Sequence, residues 1–463
     1  MSGLARMLQQ RGATCTGSDT SESDLTRSLE DAGISVSYDQ SSGELPEACD
    51  LVVASAAVKP DHPELLNAQR RGIESLSYAE ALGRVQLGRT AVCVAGTHGK
   101  STTTAMLAHI LTITGLDPDV IVGANVPQLG GGWRTGAAMV PTGGLAGRPG
   151  LMICEACEFN RSFHQHRPTM ALVNNIEEDH LDYYSNLDEI VASFRDFALL
   201  LPHAADGGRL LINHDGAHRR AVSSGLECAV ATFGFNPAAD YHIDFDPRTG
   251  RVRLSCGGDE RCSWRVPMPG DHNALNSAAA VILACWSGVT PEQASRAIEG
   301  FSGLDRRSQR LGTRRIPDGE VVVYDDYGHH PTEIEKTLKA IRAAECPKRL
   351  ICVFQPHQHS RTRFLLEQFA SSFEVADVVV VPHIFFVRDS EVERQKVSAT
   401  DLVDRLRSRG ICAMHLYPFE AIVEQLEVIC RDGDLVVVMG AGPVWTVARD
   451  FLHGDCTARE ERG

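Results

Sequence analysis

Thr90-Ala91-Val92-Cys93-Val94-Ala95-Gly96-Thr97-His98-Gly99-Lys100-Ser101-Thr102 runs from an apolar stretch through a glycine-bounded turn to a lysine and two hydroxyls. Thr90 to Ala95 reads as a buried strand. Met106, Leu107, Ile110 and Leu111 then follow at helical spacing, and Gly115 closes that helix. Strand, glycine-rich loop and helix in this order make a phosphate cradle. Backbone N–H groups at the helix start face an anion, the Lys100 ammonium reaches its outer oxygens, and the Ser101 hydroxyl is a ligand for Mg²⁺. The general phosphate-loop pattern has a further glycine five residues before Gly99, where this chain has Val94. The assignment therefore rests on the strand-loop-helix context. It predicts an α/β fold and makes Gly96, Thr97, His98, Gly99, Lys100, Ser101 and Thr102 candidates for nucleotide binding. A lysine that only reaches a phosphate has no core role, so its loss is expected to leave the melting temperature nearly unchanged.

A length of 463 residues suggests about three domains, and 43% apolar with 23% charged residues excludes a fibrous or largely disordered chain. Apolar stretches such as Asp377 to Val381 are strand-sized, well short of the ~18 residues that cross a bilayer, so no membrane insertion is expected. The first twenty residues lack the apolar centre of a secretory signal, which implies a cytoplasmic protein. A net charge of −15 repels polyanions and argues against nucleic acid as a partner, while leaving room for a small anionic substrate held by local cations. The 14 cysteines are too few for a disulfide scaffold. Cys93, Cys154, Cys352 and Cys430 lie in apolar runs, where a reduced thiol acts as a small hydrophobe. Cys154-Glu155-Ala156-Cys157 has metal-ligand spacing, but no second ligand pair is placed to complete it, so no zinc site is expected.

Three units follow from the pattern of strands and helices. Residues 1–87 alternate helix-like and strand-like stretches, with Leu4 to Gln10 as a helix and Cys49 to Ala54 as a strand; they open in mid-motif, with no strand ahead of the first helix. Residues 88–311 hold the phosphate loop and strands at Leu151 to Cys154, Ala171 to Asn174 and Arg209 to Ile212. Helices are expected at Leu187 to Leu201 and Asn276 to Trp286, and Pro141 to Gly150 is a loop. In residues 312–463, Val321 to Tyr324, Leu350 to Gln355, Val378 to Val381 and Leu435 to Met439 are Val/Ile-rich runs separated by amphipathic stretches, which predicts a parallel sheet covered on both faces.

Four further blocks carry chemistry. Glu155-Ala156-Cys157-Glu158 and Asn174-Asn175-Ile176-Glu177-Glu178-Asp179-His180 end neighbouring strands, so Glu155 and His180 are placed to hold a hard cation against phosphate oxygens; alone, His180 reads as a structural histidine. His272, Asn273 and Asn276 precede or open an Ala-rich helix, as nucleotide contacts or as caps, and Arg306-Arg307 follow it. Asp325-Asp326-Tyr327-Gly328-His329-His330-Pro331-Thr332-Glu333 has adjacent histidines whose side chains diverge, so they do not share a metal. Gln355-Pro356-His357-Gln358-His359-Ser360-Arg361 places Arg361 to hold a carboxylate bidentately, against the plain reading of a solvated helix start.

In this order and spacing the five blocks resemble the Mur ligases, from Met1 to about residue 452. The resemblance implies an N-terminal Rossmann-like domain for a UDP-sugar, a central P-loop ATPase domain and a C-terminal Rossmann-like domain that closes over ATP and brings an amino acid. The branch it most resembles joins L-alanine to the lactoyl carboxylate of UDP-N-acetylmuramate through an acyl phosphate, in peptidoglycan precursor synthesis, as a monomer or homodimer using ATP and Mg²⁺. It implies Lys100, Glu155, His180, Arg307 and His329 as catalytic residues and Ser101, Glu155 and His180 around Mg²⁺. ATP would also meet His272, Asn273, Asn276, Arg307 and Asp326. Substrates would meet Ser18, Asp19, Ser55, Ala56, Tyr327, His329, His357 and Arg361. Cys157 and Asn160 stand where the family more often has aspartates, and Ser193 to Pro202 contains no lysine to carbamylate. Relatives also place a strand and a Gly-Ile-Gly-Gly-type loop ahead of Met-Ser-Gly, a feature on which the UDP site depends. Rival readings are a ligase for recycled murein peptide, a phosphate-loop kinase or nucleotide switch, and a non-catalytic nucleotide-binding protein.

Overall fold

Thr90–Ala95 lies inside a sheet, parallel to Leu151–Glu155 on one side and Met170–Val173 on the other, in the computed structural model of the chain, which describes residues 1–317, 319–387 and 389–454. Residues 455–463, assigned above to the third unit, lie outside the described residues. Arg209–Asn213, Ala229–Gly234 and Tyr241–Asp246 extend the parallel order beyond Met170–Val173, and Asp119–Ile121 extends it beyond Leu151–Glu155. Arg251–Cys256 and Asp259–Arg265 complete one edge as an antiparallel meander. That meander escaped the sequence reading, although Arg251 to Leu254 alternate exposed and buried as a half-covered strand does.

The central strands of this sheet are covered on both faces. Helices Lys100–Ile113 and Asp271–Trp286 pack one face, where Val92, Val94, Met106, Ile110, Val281 and Ile282 share a core. Ser101 through Leu111 are all buried, so the helix is enclosed all round and its sequence shows little amphipathic contrast. On the other face Leu4, Met7, Leu82, Phe163, Phe194 and Phe197 pack together. Leu4 and Met7 tie helix Ser2–Gln10 to that core. The N-terminal segment contributes two separate parallel pairs, Thr16–Ser18 with Ser35–Ser37 and Leu51–Ala54 with Glu74–Ser77.

The third sheet has the order Gln309–Ile316, Gly319–Asp326, Asp434–Met439, Arg349–Phe354, Val378–Val381, Cys412–His415. Its inner strands form the expected parallel sheet, as their continuous apolar sequences require, and one further strand at the edge departs from that order. Gln309–Ile316 runs antiparallel to Gly319–Asp326, its neighbour in the chain, a pairing that needs no crossover helix. Cys412–His415 is a further strand that its short mixed sequence concealed. Among the described residues no helix is long and apolar enough to cross a membrane.

Candidate active site

The phosphate loop leaves the carboxyl end of Thr90–Ala95, and the two flanking strands end beside it at Glu155 and Asn174, the usual ligand position on an open parallel sheet. Gly99 has a left-handed φ of 82°, and a Cβ there would lie 2.5 Å from Asn276 Oδ1 and 2.6 Å from Asn174 Nδ2. Only glycine fits both the backbone and the space. The loop is fixed from the strand ends: the Thr97 N–H donates to the Asn175 carbonyl (3.0 Å), the His98 N–H to Asn175 Oδ1 (2.7 Å), and the Glu177 N–H to Thr97 Oγ1 (2.9 Å).

Lys100 Nζ donates to the Gly96 and Thr97 carbonyls at 2.6 and 3.0 Å and to both carboxylate oxygens of Glu158 at 3.0 and 2.9 Å. Burial alone would pull its pKa down. Glu158, with Cys157 and Glu155, more than reverses this and holds the ammonium charged. Around it opens a cavity of about 910 Å³ whose walls include Ser101, Glu155, His180, Arg307, His329 and Arg361. Glu155 Oε1 accepts the Gly123 N–H at 2.6 Å. His180 has a φ of 54° and packs on the Phe159 ring; burial lowers its pKa, so it presents a neutral ring. A non-glycine residue in that conformation carries strain of about 1 kcal/mol, which surrounding contacts must hold in place.

The third unit supplies the opposite wall. Tyr327 packs against the guanidinium groups of both Arg306 and Arg307, 5.2 and 4.9 Å from its ring centre, and its N–H donates to the Arg306 carbonyl. His329 packs edge-on against His357. Burial, reinforced by Arg361, lowers the pKa of His329 to about 3 and leaves it neutral. His330 points elsewhere, its Nε2–H donating to the Glu178 carbonyl at 3.0 Å and its ring packed on His98, so the two histidines diverge as their adjacency implied. Arg361 places Nε and Nη2 on Asp179 Oδ1 at 3.2 and 2.7 Å, while Nη1 lies 3.3 Å from His357 Nδ1. It is buried, so the solvated-arginine reading does not hold. Burial would raise the pKa of Asp179, but the Arg361 guanidinium holds it well below the usual carboxylate range.

A second cavity of about 110 Å³ adjoins the loop and is lined by His98, Thr102, His272, Asn273, Asn276 and Asp326, among others. The alternative of helix caps fails for the three residues of helix Asp271–Trp286, since Gly270 is its N-cap and no side chain caps it. Asn276 Oδ1 instead accepts from Asn174 Nδ2 (2.9 Å) and Thr103 Oγ1 (3.2 Å), joining that helix to the phosphate loop. Burial lowers His272 to about 4, so it is neutral. Asp326 accepts the Ser308 and Gly328 N–H groups at 2.6 and 2.7 Å. Ser18 and Asp19 end one N-terminal strand and Ser55 and Ala56 follow another; none of the four lines either cavity.

Asp179, Glu333 and Glu177 stand inside the quoted blocks with no role assigned to them from the sequence, yet they join the two units. His98 lies 3.2 Å from Glu333 and 3.4 Å from Glu177, Thr332 Oγ1 donates to Glu177 at 2.6 Å, and Arg307 lies 3.7 Å from Glu333. The one local signal was Glu333 at the third position of a helix begun by Pro331. Burial would lower the pKa of His98, but Glu177 and Glu333 raise it to about 9. Its folded pKa therefore exceeds the unfolded value of ~6.5, so this stabilisation is complete below that pH and is lost as pH rises through about 9. Thermal melts between those limits are expected to show the Tm falling with pH, and the slope should flatten in His98→Gln; parallel slopes would remove the charged clamp.

Cys154-Glu155-Ala156-Cys157 is divided by the strand end: Cys157 lines the large cavity, whereas Cys154 is fully buried beneath the sheet. Cys154 gathers other ligands instead, which the spacing of these four residues did not signal. Cys93, its register partner on the next strand, and His166 both converge on it.

Comparisons with known proteins agree along the whole chain. The Mur ligase family catalytic domain matches residues 1–89, the Mur ligase middle domain residues 94–284, and the Mur ligase glutamate ligase domain residues 306–442. The UDP-N-acetylmuramate–L-alanine ligases of Lachnospira eligens and Agathobacter rectalis are each 36% identical to it, over 98% of this chain and 95% of theirs. Among solved structures, the UDP-N-acetylmuramate–alanine ligase of Thermotoga maritima superposes with a TM-score of 0.76 at 24% identity, covering 97% of this chain and 95% of that one. A murein peptide ligase from Psychrobacter arcticus gives 0.71 at 23%, covering 98% and 95%. With three domain matches in succession and such identity sustained from end to end, the chain belongs to the Mur ligase family.

Proposed function

We propose that this chain joins L-alanine to the lactoyl carboxylate of UDP-N-acetylmuramate at the expense of ATP, in the cytoplasmic synthesis of peptidoglycan precursors. The observation that carries this reading is a single cavity with Lys100, Ser101 and Glu155 on one wall and Arg361, His357 and His329, from another unit, on the opposite wall. A simple nucleotide switch or kinase has no need of that second wall. Residues 1–87 would take the UDP-sugar through the turns at Ser18, Asp19, Ser55 and Ala56, residues 88–311 the nucleotide, and residues 312–463 the amino acid.

The chemistry begins with two anions. A carboxylate oxygen attacks the γ-phosphorus, the bond to the ADP oxygen breaks, and an acyl phosphate forms; the alanine amine then attacks the carbonyl carbon, loses a proton and expels phosphate. Lys100 lowers the repulsion in the first step and stabilises charge on the transferring phosphoryl group. Ser101, Glu155 and His180 form a donor set of hydroxyl, carboxylate and neutral imidazole beside Lys100, dominated by the oxygen ligands Mg²⁺ requires, and would hold that ion. When bound, Mg²⁺ supplies further neutralisation of phosphate charge. Asn273, Asn276 and Asp326 shape the smaller cavity for the adenine side. Arg307 faces the phosphates from the junction, and Tyr327 holds it there by ring contact. Arg361 and His357 receive the amino acid, and neutral His329 orients substrate by hydrogen bonding and is not a store of protons.

Purified protein given UDP-N-acetylmuramate, ATP and Mg²⁺ is expected to release phosphate only when L-alanine is added, with the amide product appearing in equal amount. Release indifferent to alanine would refute the assignment, and turnover driven by murein tripeptide in its place would transfer it to peptide recycling.

A further inference from the structure

Beneath the sheet, away from both cavities, Cys93, Cys154 and His166 meet with their ligating atoms close together, each residue at most 2% exposed. The two sulfurs are 3.7 Å apart, and His166 Nδ1 lies 3.5 Å from Cys154 Sγ and 3.8 Å from Cys93 Sγ. A tetrahedral zinc ion, with bonds of ~2.3 Å to sulfur and ~2.0 Å to nitrogen, sets edges of about 3.8 Å between sulfurs and about 3.5 Å between sulfur and nitrogen. Three corners of such a site are therefore present with hardly any movement. We propose that Cys93, Cys154 and His166 form a structural zinc site, closed by Gln86.

Gln86 already covers the three atoms. Its Nε2 is 2.7 Å from His166 Nδ1, 2.9 Å from Cys154 Sγ and 3.6 Å from Cys93 Sγ, and its Oε1 accepts the Arg167 N–H at 2.6 Å. Turning the carboxamide over presents Oε1 as the fourth donor and gives up that backbone bond. On binding, each thiol releases its proton to solvent and becomes a thiolate, so Zn²⁺ and two thiolates add to zero charge. A neutral complex suits a site without solvent, where an isolated charge does not. The ligands come from two adjacent strands and the segment after a 3₁₀ turn, and Gln86 ends helix Tyr78–Gln86. Cys93 precedes Gly96 by three residues and Cys154 adjoins Glu155, so the ion would pin together the strands that deliver the phosphate loop and the metal-site carboxylate.

The test uses the full chain, purified reduced, stripped with a chelator and titrated with Co²⁺. One equivalent is expected to give thiolate-to-cobalt charge transfer in the near ultraviolet and the strong visible bands of a tetrahedral site, both erased by Zn²⁺. Excess Mg²⁺ keeps Co²⁺ out of the catalytic cavity, and because Cys157 lines that cavity, loss of the signal in Cys157→Ser would place it there and overturn the proposal. Cys93→Ser, Cys154→Ser and His166→Ala should lose the signal, and Cys346→Ser and Cys412→Ser, at exposed positions, should keep it. Zinc loading should also raise the Tm of the wild-type chain by several degrees. Absence of the charge-transfer band in folded wild-type protein at saturating Co²⁺ would overturn the proposal without reference to any variant, as would an unchanged band in folded Cys93→Ser. Either result would leave a hydrogen-bonded cluster of thiols, imidazole and carboxamide.

Discussion

Lys100→Ala should cut turnover at least ~10³-fold, the scale on which a lost cation at a transferring phosphoryl group acts, and should also lower the Tm. The second effect departs from the expectation for a lysine that only reaches a phosphate. In the structure its side chain is 15% exposed and that of Glu158 is 3% exposed, so removing the ammonium leaves a carboxylate buried without its cation. Such an orphaned charge costs on the order of 3 kcal/mol. Adding Glu158→Gln should recover most of the Tm while turnover stays lost. Recovery of turnover in the double variant would show that Lys100 serves stability and not phosphate, and an unaltered Tm in Lys100→Ala would mean the pair is not maintained in solution.

Arg361→Ala is expected to raise the KM for L-alanine about 10- to 100-fold, the worth of a lost charge-assisted carboxylate contact, with a much smaller change for ATP. The contact with Asp179 complicates this variant, because it too is broken. Asp179→Asn separates the two contributions. It retains the guanidinium but weakens the junction between the second and third units, so it should raise both KM values together. Equal changes for alanine and ATP in Arg361→Ala would place the carboxylate anchor elsewhere and leave Arg361 as a junction residue alone.

The phosphate loop was legible because its parts are consecutive: backbone amides, Lys100 and Ser101 follow one strand, and Gly99 marks the left-handed turn locally. The Val/Ile-rich strands of the third sheet were legible for a similar reason, since burial on both faces removes alternation and leaves an apolar run. The meander at Tyr241–Arg265 and the strand Cys412–His415 were not, because strands with one open face carry polar residues there and resemble loops in composition.

By itself the sequence determined the α/β class and the phosphate loop, both set by local spacing and burial period, and it pointed to some of the side chains that line the cavity, Lys100, Glu155, His180 and Arg361 among them. Tertiary structure alone decided that Asp179 meets Arg361 across 182 residues, that Glu333 and Glu177 grip His98, and that Cys93 and Cys154 share a register with His166 beside them. Chain spacing carries no record of which strands become neighbours. That order emerges only when the helices must cover both faces of the sheet at once, and with it comes every contact between distant segments on which the site depends.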